Sequence, residues 1–206
     1  MQTQKTNIRE TILLIARREF INRGFKKTSI KRISFLSEVA VGNIYNYFKN
    51  KDEIFCEVLA PLIRSLEKYL IANSGSTYQT TDVFYTEESK NLMINQILGI
   101  ITPYRAELKL LFFESSGTRL EKYFDHFSDR FALDGVEYLE KMKDKYPEIE
   151  TKISLSFIRV ACSTWFSVLK EIVSQDELNK EEITNIISTY VEFTTAGWKK
   201  ILNIKF

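Results

Sequence analysis

Residues 24–51 read GFKKTSIKRISFLSEVAVGNIYNYFKNK. The pattern predicts two helical segments, near 30–37 and 41–48, joined by about three residues. Neither is long enough to persist alone, because a first helical turn fixes many dihedrals for a single hydrogen bond. Short helices at this spacing form a helix-turn-helix, with Ile33, Val39, Ile44 and Phe48 locking the pair against a preceding helix. Ser29 is placed to cap the earlier segment, yet Lys31 and Arg32 then fall in its first turn, where the helix dipole disfavours cations. That placement makes sense beside phosphates, and Tyr45, Tyr47, Lys49 and Lys51 supply further donors of the kind phosphate contacts use.

Charge points the same way. Over the 206 residues, 29 basic and 27 acidic side chains leave a net +2. Residues 1–51 hold eleven basic and three acidic residues, whereas 52–206 hold 18 and 24. A basic head on an acidic body predicts two domains, 1–51 and 52–206, and a polyanion as the partner of the first.

The rest of the chain reads as helical throughout, because apolar residues recur every three or four positions and strand-like alternation is scarce. About nine helices are expected. The first spans about Asn7–Arg23 and stops at Gly24. The fourth is capped by Asn50 and runs to about Asn73 with Pro61 inside it, where a bend is expected. Residues 73–86 have the composition of a loop, and the remaining helices fall near 87–101, 103–114, 119–145, 149–174 and 179–203, with Pro103 and Pro147 at two starts.

Several function classes drop out. The longest stretch without Asp, Glu, Lys or Arg is Asn91–Tyr104, 14 residues, short of the roughly 20 that span a bilayer. The apolar run Ile12–Ala16 ends at Arg17-Arg18 and does not make a signal peptide, so a cytoplasmic protein is expected. Cys56 and Cys162 lie far apart in no metal-binding spacing. A single histidine, His126, cannot complete a Ser-His-Asp or Cys-His site, and Tyr123 stands where a helical di-iron site needs Glu. No catalytic residue, metal or cofactor is expected.

Ala16, Phe20, Gly24-Phe25, Thr28-Ser29-Ile30, Ile33, Val39, Gly42, Ile44-Tyr45-Asn46-Tyr47-Phe48 and Lys51 through Ile54 together make a specific pattern over about the first 60 residues. On these residues the chain resembles the TetR family of transcriptional regulators. Four positions depart: Ser34, Ser37, Glu38 and Ala40 stand where the family usually has Ala, Ala, Gly and Ser. The residue between the two short helices normally adopts a left-handed conformation, so Glu38 is expected to be strained or the turn reshaped.

The resemblance implies an N-terminal three-helix DNA-binding domain and a C-terminal helical domain for ligand binding and dimerisation. It places Val41, Gly42, Asn43 and Asn46 at the base edges of a double-stranded operator, and Thr28, Ser29, Lys31, Tyr45, Tyr47 and Lys51 toward phosphate. It also implies a homodimer through the helices near 149–174 and 179–203, and a small-molecule effector in the body. From the residues themselves, an aromatic-rich body could line an apolar cavity. Candidate lining residues are Met93, Phe113, Phe127, Cys162, Trp165 and Phe166, with Arg105, Arg159 and His126 as polar groups to orient a ligand. The segment 153–173 is apolar at 13 of 21 positions around its circumference, which calls for burial on two sides. The function expected is a ligand-responsive regulator, a repressor released from a palindromic operator by a largely apolar effector. The alternative is an architectural DNA-binding protein without one.

Overall fold

Gly24 breaks the first helix three residues before its end by leaving helical geometry, with φ 75° and ψ 168°. A side chain there would be strained at that φ, and its Cβ would run into the Glu114 carboxylate. The computed structural model describes residues 2–74, 80–84 and 86–205. It contains eight α-helices and no strand among the described residues. They are α1 Gln2–Lys27, α2 Ile30–Ser37, α3 Val41–Ile44, α4 Lys51–Ser74, α5 Glu87–Phe113, α6 Tyr123–Lys145, α7 Leu155–Ser174 and α8 Lys180–Ile201, with a 3-10 turn at Thr81–Phe84.

The count falls one short of the expected nine because 87–101 and 103–114 run together as α5. Pro103 is inside that helix rather than at a start, and the irregularity it causes is absorbed at Tyr104 (φ −120°, ψ 20°). Two further starts differ. Residues 119–122 make turns before α6. Residues 149–154 do not join α7: the Glu150 amide donates to the Leu202 carbonyl at 2.8 Å, and Lys143 Nζ donates to the carbonyls of Pro147 and Ile149. Pairing within the tertiary structure thus takes the backbone groups a helix would have used, and Ser154 caps α7 instead by accepting from the Phe157 amide at 3.2 Å. Pro61 lies inside the single helix α4, as expected.

Packing divides the chain into two units. One is Met1–Arg64 with Ala106–Tyr123, the other Ser65–Arg105 with Phe124–Phe206. The division expected at 51/52 follows the charge; packing carries the first unit further because Ile54, Phe55, Val58, Leu59 and Leu62 of α4 are buried with it. In that unit Ile12, Ala16 and Phe20 of α1 are fully buried, together with Ile33, Ile44 and Phe48. The ring of Phe55 meets Phe20 and Phe25 edge-on, each at 5.1 Å.

The second unit has its own core. Ala132, Leu139 and Met142 of α6 pack with Ile158 and Cys162 of α7 and with Leu202 and Ile204. Trp165 stacks on Tyr190 at 5.4 Å, and Phe157 meets Trp198 edge-on at 5.8 Å, so α7 and α8 face one another along their length. Asn179 and Glu182 form a reciprocal capping box at the start of α8.

Candidate nucleic-acid interface and interior cavity

The α2–turn–α3 segment is held by its own caps and by α1. Ser29 Oγ accepts from the Arg32 amide at 3.2 Å, as its position predicts. Glu38 occupies the left-handed region with φ 57° and ψ 22°, the conformation expected of the residue between the two helices. Ala40 precedes α3 without a side-chain capping bond, leaving the first amides of α3 open. The region expected as a helix over 41–48 is α3 over 41–44 followed by a tight turn, in which the amides of Asn46 and Tyr47 reach back three residues to Asn43 and Ile44.

On the outer side of this segment Gly42, Tyr45 and Asn46 are exposed and Val41, Asn43 and Tyr47 half-buried. A Cβ on Gly42 would meet nothing within 4 Å, so the glycine keeps the surface low where another surface can approach. Asn46 Nδ2 donates to Asn43 Oδ1 at 3.3 Å, linking the two amides into one polar group. Lys26, Lys27, Ser29, Lys31 and Lys49 of the same domain are also exposed.

Two residues expected on phosphate are engaged inside the domain instead. Thr28 is only 2% exposed and its hydroxyl donates to the carbonyls of Gly24 (2.9 Å) and Glu19 (3.2 Å). Lys51 Nζ donates to the carbonyls of Phe25 (2.7 Å) and Thr28 (2.8 Å) and lies 4.1 Å from the centre of the Phe25 ring. Burial pushes its ammonium below the ordinary lysine pKa. Lys51 therefore closes the end of α1 and the loop that follows. Arg32 is likewise tied down, with Nε 3.0 Å from the buried Glu19 carboxylate, which Arg23 also reaches.

The second unit carries a half-open cavity of about 520 Å³ between α6, α7 and α8, with Phe84, Met93 and Ile97 also on its wall and the exposed side chains of Phe157, Val160, Phe193 and Ile201 at its open side. Of the residues expected to line it, Met93, Cys162 and Trp165 do. Phe127 and Phe166 do not: they are buried against each other edge-on at 5.4 Å and form core. Phe113 belongs to the first unit, where its ring is exposed. Arg105 is not on the wall either. Its guanidinium donates to the carbonyls of Leu178 (2.8 Å), Ile172 (3.3 Å) and Gln175, which ties down the connection between α7 and α8. Arg159 pairs with Asp129 at 2.8 Å, and His126 is exposed.

Asp134, Tyr138, Tyr190, Thr194 and Trp198 line the cavity without having been expected there. The last three recur on α8 at 190, 194 and 198, a helical spacing legible in the sequence but assigned to a dimer seam. Burial pushes the hydroxyls of Tyr138 and Tyr190 up to about 12 and the Cys162 thiol up to about 11. All three thus stay neutral near pH 7. Among the described residues no group of three or more His, Cys, Asp or Glu is placed to hold a metal, and no helix is long and apolar enough to cross a membrane.

Comparison with known proteins agrees with this architecture. Residues 12–58 match the model of the bacterial regulatory proteins, tetR family. QacR, an HTH-type transcriptional regulator of Staphylococcus aureus, is 40% identical over 53 residues, 26% of this chain and 28% of QacR. YhgD, an uncharacterized HTH-type transcriptional regulator of Bacillus subtilis, is 33% identical over 60 residues, 29% of this chain and 31% of YhgD. The chain thus matches about three tenths of the length of these two relatives. Over the whole chain the fold is shared with the crystal structure of NalD, the secondary repressor of the MexAB-OprM multidrug efflux pump in Pseudomonas aeruginosa. The TM-score is 0.60 at 16% identity, over 94% of this chain and 96% of that one. The N-terminal segment of the chain thus matches the tetR family of bacterial regulatory proteins, and the chain as a whole shares the all-helical fold of NalD.

Proposed function

We propose that this protein is a ligand-responsive transcriptional repressor, a homodimer that binds a palindromic DNA operator and is released from it by a small, largely apolar effector. The observation that carries the reading is the exposed surface around α3. The same N-terminal domain, of net positive charge, presents Gly42 and Asn46 and exposes Lys26, Lys27, Lys31 and Lys49, with Asn43 half-buried next to them in sequence. Asparagine amides at that position can pair with an adenine edge in the major groove, while the lysines supply sequence-independent attraction to the backbone.

The unexpected engagement of Lys51 and Thr28 shifts the phosphate contacts to Ser29, Lys31 and Tyr45, with Lys26, Lys27 and Lys49 at the margin. Dimerisation is assigned to α7 and α8. These helices leave Leu155, Phe157, Val160, Phe193 and Ile201 exposed, a set of large apolar side chains that a soluble monomer does not ordinarily present on two adjacent helices. The cavity supports an effector rather than a purely architectural role, since a volume of about 520 Å³ walled mainly by apolar and aromatic side chains suits a small organic ligand.

Selection from a random pool of duplex DNA tests the reading. A repressor of this kind is expected to enrich a palindrome with half-sites about one helical turn or somewhat more apart. Replacing Asn43 with Ala should change the enriched bases, and Lys31→Ala should weaken all duplexes alike. Failure to enrich any sequence would remove the operator from this assignment.

A further inference from the structure

Arg32 stands in the first turn of α2, where the helix dipole disfavours a cation, and a carboxylate inside the domain holds it there. That carboxylate is Glu19 of α1, which is only 4% exposed. Its Oε2 lies 3.0 Å from Nε of Arg32 and 3.2 Å from Nε of Arg23, and its backbone carbonyl accepts from the Thr28 hydroxyl at 3.2 Å. The start of α2 is thus fastened to this one residue, since Ser29 caps the helix by accepting from the amide of the same Arg32 whose side chain Glu19 holds.

The pairing is unbalanced. A single well-placed cation suffices to answer a buried carboxylate. Here two guanidiniums converge on one oxygen, so the cluster keeps a surplus of positive charge. Each is held through Nε, and among the described residues nothing accepts from the Nη groups of either. Both side chains are nearly half exposed, 43% for Arg32 and 47% for Arg23. A guanidinium is a rigid planar fork, so one anchored at Nε still offers Nη donors on its other edge. Two like charges drawn together by a buried anion attract a second anion on their outer side, and the oxygens of a phosphate can accept from both.

We propose that Glu19 is a positioning residue for DNA binding: from inside the domain it holds Arg32 and Arg23 as a preset pair, whose outer donors take a phosphate of the duplex backbone. This rests on the reading of the N-terminal unit as a DNA-binding surface, and deepens it by naming a phosphate contact outside α3 and the buried group that sets it. Because the pair is held before DNA arrives, it loses little side-chain freedom on binding.

Charge alone and positioning predict opposite signs for one substitution. Glu19→Gln removes a negative charge from the DNA-binding unit, which by itself strengthens attraction to a polyanion. Loss of the positioning carboxylate weakens binding instead. Anisotropy of a labelled random-sequence duplex, titrated with the full-length protein at several salt concentrations, reads both affinity and salt slope. Folded Glu19→Gln is expected to bind about fivefold more weakly, with a slope shallower by about 1 per chain, as loss of a phosphate contact requires. Arg32→Ala should do the same. A merely destabilised domain would lower affinity equally at every salt concentration, so weaker binding with an unchanged slope in both variants would overturn the positioning role. Equal or tighter binding by folded Glu19→Gln would also overturn it. Arg32→Lys keeps the charge beside Glu19 but lacks the second edge of the fork, and is expected to lose about fivefold in affinity. Binding by Arg32→Lys like that of the unmodified protein would overturn the proposal, and this exposed substitution decides the matter even if Glu19→Gln does not fold. Those outcomes leave the DNA-binding reading standing. No binding of the duplex by the unmodified protein at low salt would overturn both.

Discussion

Glu38 shows how a single residue can depart from a family pattern and still keep the geometry. The turn between α2 and α3 requires a left-handed residue, and Glu38 adopts that conformation at φ 57° instead of reshaping the turn. The conformation costs an L-residue about 1 kcal/mol or more relative to glycine. Glu38→Gly is therefore expected to raise stability in chemical denaturation by some fraction of a kcal/mol, partly offset by the greater freedom of unfolded glycine. It should also tighten DNA binding at low salt, because it removes an exposed carboxylate next to α3. Lys51 teaches the opposite lesson. Its position and charge suggest phosphate, but its ammonium lies within reach of two carbonyls at the end of α1, a proximity that spacing along the chain does not reveal. Lys51→Ala should then cost about 1.5–3 kcal/mol of stability, as for hydrogen bonds from a charged group, while leaving the salt dependence of DNA binding of the folded protein essentially unchanged. A drop in salt slope with unaltered stability would return Lys51 to the phosphate surface.

At the scale of elements, helix ends were the most legible features. The Gly24 stop, the Ser29 cap and the Asn50 cap, whose Oδ1 accepts from the Glu53 amide at 2.8 Å, all follow from local chemistry and all are present. What local chemistry does not contain is competition for backbone groups by distant segments. Residues 149–154 carry a helical pattern but pair with the end of α8, and α5 runs through Pro103 because one irregular residue suffices to absorb it. The cavity was half legible for a similar reason. Composition announces an aromatic-rich body, but only packing decides that Phe127 and Phe166 meet each other while Trp165 and Trp198 face the opening. Arg105 was drawn away from a ligand by the same kind of long-range partner. Its replacement by Ala leaves carbonyls of the α7–α8 connection without their donor, and the expected outcome is a loss of about 2–4 kcal/mol in denaturation. Unchanged stability in denaturation would show that Arg105 does not hold this connection.

For the whole molecule, the proposed function requires two properties together: assembly through α7 and α8, and electrostatic capture of DNA by the N-terminal unit. Val160 is 61% exposed on α7. Val160→Asp sets a charge on the face assigned to the partner chain and is expected to convert a sedimenting dimer into a monomer, with weaker operator binding because two half-sites are no longer held by one particle. An unaltered dimer would move the interface elsewhere. The central assignment is that the surface built around α3 binds duplex DNA, and the salt dependence of that binding tests it most directly. Each phosphate neutralised releases counterions, so log affinity should fall linearly with log salt at a slope of about −0.9 per contact. Fluorescence anisotropy of a labelled duplex, titrated with the protein at several salt concentrations, should give a slope steeper than about −3, shallower by about 1 per chain for Lys31→Ala. A slope near zero, or no binding even at low salt, would contradict it.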